Sequence, residues 1–149
     1  MLQVEKILFV NTSIVKCCIN SPYDFQAGMV NGHDFTLDFK LGFNLADKLV
    51  KADFLLEVTT KCNIENNIEE AKGEFHFVFV FHVENLDELA ITDEKGLIEL
   101  DGNLGNALAA ISYSTARGIM LVRLKGTALE FFILPVIDPK KLLNPDIKA

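Results

Sequence analysis

The segment GEFHFVFVFHVE, residues 73 to 84, carries phenylalanine at every second position. Successive side chains of a β-strand point to opposite faces of the sheet, so strict alternation predicts a strand with one buried face. We expect the four phenylalanines of this face to pack beneath a helix: Phe75, Phe77, Phe79 and Phe81. The opposite face is also apolar at its centre, where Val78 and Val80 lie between two histidines. We expect these two valines to be buried by something other than the helix: a bound polypeptide, a neighbouring subunit or the chain's own connector.

Two segments before residue 73 alternate in the same way. Residues 36–45 and residues 53–65 each place apolar side chains at every second position, and polar links separate them. The shared faces comprise Leu37, Phe39, Leu41, Phe43 and Leu45 in the first segment, and Phe54, Leu56, Val58, Thr60, Cys62 and Ile64 in the second. Consecutive strands joined by short links are typically antiparallel neighbours in one sheet.

The N-terminal region contains two apolar runs and a loop. Residues 2–10 contain neither proline nor glycine and are apolar enough for a strand, and a second apolar run covers residues 14–19. Residues 20–34 combine Pro22 with two glycines and several Asn and Asp residues, so we interpret them as a loop.

The sequence period changes after residue 85. Residues 86–102 are acidic and irregular, which is typical of a solvated linker, and a helical period begins at Asn103, a residue that can cap a helix. Gly126 is expected to end this helix. One stripe at spacings of three and four predicts its buried face: Leu104, Leu108, Ile111, Thr115, Gly118 and Val122. A row of small residues on the same helix allows another backbone to approach closely: Ala107, Ala110, Ser114 and Gly118.

An apolar connector, ALEFFILPV at residues 128–136, follows this helix. Its proline excludes a continuous helix, so we expect extended chain. Alternation then sends Phe131 and Ile133 to one side and Phe132 and Leu134 to the other. One pair can therefore anchor the connector to the core while the other pair lines a groove.

The chain closes with a short helix, which Asp138 can cap and which Pro145 limits to about two turns. The strands thus come first and the helices after them. This order predicts one α+β domain over residues 1–149, with a helix covering one face of an antiparallel sheet.

Composition narrows the classes of partner. Half of the 149 residues are hydrophobic, and a small domain has much surface for its volume, so we expect part of this apolar surface in a subunit interface or a binding groove. The net charge of −7 argues against nucleic acid, because phosphate binding needs clustered Lys and Arg. The N-terminus lacks the features of a signal peptide, and no apolar stretch reaches the roughly 18 residues of a membrane helix. These features predict a cytoplasmic protein without membrane insertion.

No arrangement of residues predicts catalysis, a metal site or a cofactor. His76 and His82 lie too far apart on one strand to share a metal, about 20 Å at about 3.3 Å per residue. The three cysteines, two of them adjacent, do not make a disulfide framework. Because no phosphate-binding loop or exposed nucleophile is present either, a binding protein is favoured over an enzyme. A carrier of a small apolar ligand in a Phe-lined cavity is an alternative.

Residues 121–143, LVRLKGTALEFFILPVIDPKKLL, resemble the bacterial export chaperone SecB. In that family a helix ends in an Arg-Gly-Thr-like step, here Lys125, Gly126 and Thr127, and an extended crossover follows. An apolar-Pro-Val step, here residues 134–136, then leads into a second helix at the family's usual separation. The N-terminal LQVEKILF is similar to the family's first strand, and the three middle strands match in order and length.

This resemblance implies a SecB-like fold with a four-stranded antiparallel sheet, and a homotetramer built as a dimer of dimers. In the family, subunits pair through their sheets and dimers associate through the long helices. The small-residue row would then form the oligomer interface: Ala107, Ala110, Ser114 and Gly118.

The resemblance also implies an ATP-independent holdase that binds unfolded or aggregation-prone polypeptides, including preproteins for export. The family's crossover forms part of its binding groove. We therefore predict a polypeptide-binding surface made by Phe131, Phe132, Ile133 and Leu134, with Val78 and Val80 as further candidates on the sheet.

One departure from the family concerns its partner SecA, the translocase motor. Val78 stands where typical members carry an acidic residue on the sheet surface that docks SecA. This substitution argues against docking to SecA. Divergent SecB-like proteins instead serve toxin–antitoxin systems by holding an aggregation-prone antitoxin, and this is an alternative function.

Overall fold

The computed structural model describes residues 1–62 and 69–143, and its main element is a four-stranded antiparallel sheet. The strands are β1 (Ile7–Asn20), β2 (Val30–Asn44), β3 (Leu49–Cys62) and β4 (Lys72–Val83), and they lie in the order β1-β4-β3-β2. A single long helix follows later in the chain. The predicted α+β class and the strands-first order are therefore confirmed.

Strand β4 corresponds to the phenylalanine-rich segment, and it is central in the sheet. Its four phenylalanines are at most 2% exposed and belong to the main hydrophobic core cluster. On the neighbouring strand β3, the predicted face from Phe54 to Thr60 is equally buried, and Phe54 stacks on its register partner Phe77 with ring centroids 6.1 Å apart. Ile64, which we assigned to the same face, lies outside the described residues.

The two edge strands are longer than predicted. Strand β1 runs without interruption through both N-terminal apolar runs, and two register shifts, at Phe9/Asn11 and Ile14/Lys16, absorb the irregular pattern. Strand β2 begins at Val30, so the predicted loop at 20–34 is too long. The backbone of residues 30–34 pairs with β3 despite its polar composition, because a neighbouring strand can satisfy N–H and C=O groups whatever the side chains are.

The acidic segment after β4 is more ordered than the linker that we predicted. It forms a short helix α1 (Leu86–Leu89) and a hairpin of β5 (Ala90–Thr92) and β6 (Ile98–Leu100). Leu86 and Leu89 are buried in the core, which ties this segment to the sheet. The isolated apolar residues in an acidic stretch were the signal for this element.

The long helix α2 spans Gly102–Arg123, and its cap differs from the prediction. The carboxylate of Asp101, and not the side chain of Asn103, accepts hydrogen bonds from the backbone N–H groups of Asn103 and Leu104. An aspartate at this position also adds a favourable charge at the positive end of the helix dipole. Beyond the helix, Gly126 adopts φ +78°, the left-handed conformation expected of it.

The buried face of α2 is only partly the one predicted. Leu104 and Leu108 are buried, but Ile111 and Val122 are exposed, and Thr115 and Gly118 are not in the core. The helix instead buries Gly105, Ala109, Ser112, Tyr113, Ala116 and Met120. Apolar and small residues occur on nearly every side of this helix, so its periodicity does not identify the buried face.

A connector and a short helix α3 (Lys140–Leu143) complete the described chain. Leu142 of α3 is buried in the core cluster. Among residues 1–62 and 69–143, no helix combines the length and apolar character needed to cross a membrane.

Candidate polypeptide-binding surface

The crossover between α2 and α3 begins with a turn built around Thr127. The Thr127 hydroxyl donates to the carbonyl of Leu124 at 2.7 Å and accepts from the backbone N–H of Leu129 at 3.2 Å. Backbone hydrogen bonds from Glu130 to Thr127 and from Phe132 to Leu129 continue the turn. The Gly-Thr step therefore reverses the chain at the end of α2 and directs the next residues across the protein.

Side chains of the crossover then alternate between the core and the solvent. Phe132 and Leu134 are 4% and 1% exposed, whereas Phe131 and Ile133 are 71% and 60% exposed. The predicted division into an anchoring pair and an outward pair is confirmed. Phe132 and Leu134 lie in the protomer's own core, so the outward pair provides the apolar groups available to another molecule.

Strand β2 supplies the contact that anchors Phe132. The Phe132 ring lies 5.4 Å from the ring of His33 and 5.6 Å from that of Phe35, centroid to centroid. Burial lowers the pKa of His33 below its usual value of 6.5, which favours the neutral imidazole. Phe35 itself remains 39% exposed, so it extends the apolar surface from the crossover onto β2.

The far end of the crossover is held by α2. The Tyr113 hydroxyl donates to the backbone carbonyl of Pro135, while its ring packs edge-on against Phe54 at 6.2 Å. Burial raises the pKa of Tyr113, and nearby Arg117 opposes this shift, so the hydroxyl is a protonated donor at neutral pH. The crossover is thus fixed at both ends, and its outward side chains have a rigid support.

These residues define what we call the crossover surface: Phe35, Phe131, Ile133 and the exposed Val136. Phe35 and Val136 were absent from the sequence-predicted site, as were the supporting residues His33 and Tyr113. The predicted strand began one residue after Phe35, and the apolar alternation continuing back to that residue was the available signal. Tyr113 could not be found, because its role depends on the buried face of α2.

Val78 and Val80 lie on the opposite face of the sheet from the crossover surface. Both are partly exposed, and their register partners on β3 are Asp53 and Lys51. The structure therefore does not bring them together with the crossover residues. Val80 instead lines an open recess of about 380 Å³ with Gly42, Phe43, Asn44, Leu49 and Lys51.

A charged cluster lies beside Val78 on this open face. Asp53 accepts a hydrogen bond from His76 at 2.7 Å, and the Lys51 ammonium lies 3.3 Å from the other Asp53 oxygen. Partial burial acts to raise the pKa of Asp53, but His76 and Lys51 together hold it below its usual value. This face is therefore mixed in character, with ionised groups among the valines.

The small-residue row of α2 faces outward. Ala107 and Ala110 are partly exposed, Ser114 is exposed, and a Cβ added at Gly118 would meet nothing within 4 Å. The exposed apolar side chains Ile111, Leu121 and Val122 flank the row. The position of this row is compatible with the predicted oligomer interface, which stays a prediction.

Side chains that bind metal ions are not assembled in the part of the chain that the structure describes. No group of three or more His, Cys, Asp or Glu side chains there could hold a metal ion. The three cysteines are free thiols, and that of Cys62 donates to Glu70. Ser112 lies on the buried face of α2 and is fully buried.

Comparison with known proteins relates this chain to others by fold. No protein-family model and no curated protein sequence matches it. Among solved structures, it is similar to the Mycobacterium tuberculosis Rv1957 SecB-like chaperone in complex with a ChAD peptide from the Rv1956 HigA1 antitoxin. The TM-score is 0.62 at 9% sequence identity, over 90% of this chain and 92% of that chain. The chain therefore has the SecB-like fold that its crossover motif predicted.

Proposed function

We propose that this protein is an ATP-independent chaperone that holds unfolded or aggregation-prone polypeptides on the crossover surface. The observation that carries the proposal is the division of the crossover. Phe131 and Ile133 point outward at 71% and 60% exposure, while Phe132 and Leu134 fix the same backbone to the core. The likeness in fold to a chaperone bound to a peptide supports this function.

The physical chemistry of the crossover surface suits clients of varied sequence. Burial of apolar groups is non-directional, so Phe and Ile side chains accept many partners. Each Å² of apolar surface removed from water contributes about 25 cal/mol before ordering costs, so two or three exposed side chains bind a segment only weakly. Several such surfaces in one oligomer would raise the affinity, because a second contact with the same client is intramolecular.

We therefore include a homotetramer, a dimer of dimers, in the proposal. The outward small-residue row of α2, from Ala107 to Gly118, is the proposed contact between dimers, and the sheets are the proposed contact within them. The proposal does not include docking to SecA, because Val78 and Val80 occupy the corresponding sheet surface. Size-exclusion chromatography with light scattering measures the subunit number, and a monomeric protein would contradict the proposed homotetramer.

Suppression of aggregation tests the holdase function directly. The protein is mixed without nucleotide with a chemically unfolded model protein, and light scattering records aggregation during dilution from denaturant. We expect the wild type to suppress scattering and the double variant Phe131→Ser/Ile133→Ser to lose most of this effect. The matched control is Ile91→Ser/Leu97→Ser, which removes two equally exposed apolar side chains from the β5–β6 hairpin.

Two results of the aggregation assay would contradict the proposed client site. If the wild type leaves aggregation unchanged, or if the control variant loses as much activity as the crossover variant, the crossover surface is not the client site. Circular dichroism of both variants confirms that each retains the wild-type fold.

A second candidate function is that of a dedicated chaperone of an antitoxin in a toxin–antitoxin system. It is favoured by one observation, since the solved SecB-like protein of similar fold is bound to a peptide from an antitoxin. An array of overlapping peptides from antitoxins and from unrelated proteins separates the two functions. A general holdase should bind many apolar peptides with similar weak affinity, whereas a dedicated chaperone should bind a few antitoxin peptides far more tightly.

A further inference from the structure

A small pocket lies between α2 and the far end of the crossover. Its volume is about 90 Å³, and it is lined by Ala110, Tyr113, Ser114, Arg117, Val136, Ile137 and Pro139. A cavity of about 150 Å³ is known to hold benzene, so this pocket is too small for an aromatic ring but large enough for a carboxylate group. It adjoins the crossover surface, because Val136 belongs to both.

Arg117 gives this otherwise largely apolar pocket a positive charge. Its side chain is partly buried, and among the described residues no carboxylate lies within 4.0 Å of its guanidinium. The Tyr113 hydroxyl beside it is already committed to the carbonyl of Pro135. A planar guanidinium presents five N–H donors, and no carboxylate of residues 1–62 and 69–143 pairs with those of Arg117, so they suit an anionic group that enters the pocket.

The charge distribution along the chain also favours an acidic ligand at this pocket. Residues 102–143 contain five Lys or Arg residues and two Asp or Glu residues, a local net charge of +3 in a chain whose net charge is −7. Of those two carboxylates, Asp138 already accepts the backbone N–H of Lys140 at 3.0 Å. The positive charge lies on the two helices, with +2 on α2 and +2 on α3, whereas the crossover between them carries Lys125, Glu130 and Asp138. The helices beside the pocket are therefore locally basic on an acidic protein, which favours an acidic ligand at this position.

A second copy of this chain is a poor source of that acid. Ala110 and Ser114 of this pocket also belong to the small-residue row that we propose as the contact between dimers, so the pocket lies at the border of that contact. Helix α2 contains no Asp or Glu from residue 102 to residue 123, so a second α2 at that contact would supply no carboxylate to Arg117. A polypeptide client is free of this restriction.

We infer that Arg117 makes the crossover surface selective for client segments in which an Asp or Glu side chain lies among apolar residues. The apolar residues of the client pack on Phe131, Ile133 and Val136, and its carboxylate enters the small pocket and accepts hydrogen bonds from the Arg117 guanidinium. This inference rests on the proposed chaperone function, and it names the class of segment that the chaperone prefers.

Three fluorescein-labelled peptides of equal length and equal apolar content test the selectivity, with a central Glu, Gln or Lys. Fluorescence anisotropy measures the Kd of each peptide for the full-length wild-type protein and its variants. We expect the wild type to bind the Glu peptide roughly fivefold to tenfold more tightly than the Gln peptide, since tenfold in Kd corresponds to about 1.4 kcal/mol. The preference should shrink as salt is added, because the site is open to solvent.

Variants of Arg117 separate selectivity from apolar binding. Arg117→Gln should bind the Glu and Gln peptides with equal affinity, and this affinity should match that of the wild type for the Gln peptide. Arg117→Glu should prefer the Lys peptide. Arg117→Lys should keep part of the preference. Arg123→Gln, which removes the other arginine of α2, is the control and should keep all of it.

Several outcomes would overturn the inference. Equal binding of the Glu and Gln peptides by the wild type, or an unchanged preference in Arg117→Gln, would exclude a role of Arg117 in selectivity. A reduced subunit number in Arg117→Gln by light scattering, with no peptide preference in the wild type, would assign Arg117 to a subunit contact. Absence of binding for every peptide would overturn the chaperone function as well, whereas loss of preference alone would leave that function standing.

Discussion

The hydroxyl of Tyr113 on α2 donates a hydrogen bond to the backbone carbonyl of Pro135 on the crossover, 22 residues later in the chain. This contact joins the element that covers the sheet to the segment that carries Phe131 and Ile133. It fixes the crossover at the end opposite to Phe132, so the two outward side chains are supported on both sides.

We therefore predict that Tyr113→Phe loosens the crossover without unfolding the protein. The variant keeps the ring that packs on Phe54 but leaves the Pro135 carbonyl without its donor, which should cost about 1 kcal/mol of stability. Urea unfolding measures this loss. Relative to the wild type, amide hydrogen exchange in the variant should speed up within residues 131–137 more than in β4. Tyr23→Phe, at a fully exposed position, is the control and should change neither quantity.

Truncation of the two adjacent phenylalanines of the crossover should affect different properties: stability for Phe132 and client binding for Phe131. Phe132→Ala removes a side chain packed on His33 and Phe35 and should lower the free energy of unfolding by about 3–5 kcal/mol. Phe131→Ala removes an exposed side chain and should change it by less than about 0.5 kcal/mol, yet weaken client binding. Denaturant titration and aggregation assays on both variants check this contrast, which would fail if Phe131→Ala were the more destabilised.

Stability should fall in mild acid because of His33. Burial against Phe132 lowers the pKa of His33 in the folded chain below 6.5, so the unfolded chain binds a proton first as the pH falls. The stabilisation is thus present above about pH 6.5 and is lost as the pH falls through the folded pKa. We expect the urea midpoint to decrease from about pH 7.5 to about pH 5.5, and His33→Gln to reduce that decrease.

A matched variant controls for the loss of an imidazole elsewhere on the sheet. His82→Gln changes a histidine on the opposite face, at the end of β4. If His33→Gln and His82→Gln showed the same dependence of the midpoint on pH, the burial of His33 would not be its cause.

Gly73 explains how closely the crossover approaches the sheet. A Cβ built at this position would lie 2.5 Å from a methyl carbon of Leu129, which is fully buried at the start of the crossover, and 2.6 Å from the Phe75 ring. Gly73→Ala should therefore destabilise the protein by about 1–3 kcal/mol through overpacking. Gly42→Ala, where the same atom meets nothing within 4 Å, should be nearly neutral in thermal unfolding. Equal unfolding temperatures for the two variants would contradict this explanation.

Two kinds of element could be predicted from the sequence: strands in which apolar and polar side chains alternate, and turns that contain characteristic turn residues. The phenylalanines of β4 and the opposed parity of Phe131 and Phe132 follow from a period of two, which needs no tertiary information. The polar start of β2 at Val30 did not follow, because its pairing with Cys62 depends on a neighbouring strand. The pocket around Arg117 could not be predicted either, because it depends on which face of α2 is buried.

At the start of α2, two polar residues separated by one glycine, Asp101 and Asn103, can each cap the helix. Asp101 accepts both N-terminal hydrogen bonds, at 3.0 Å from Asn103 and 3.2 Å from Leu104, although Asn103 has the side chain of a good cap as well. We predict that Asp101→Ala lowers the free energy of unfolding by about 0.5–2 kcal/mol, while Asn103→Ala, within the exposed first turn, changes it by less than about 0.5 kcal/mol. Chemical denaturation of both variants measures the difference. A larger loss in Asn103→Ala would restore Asn103 as the cap and place the start of α2 two residues later.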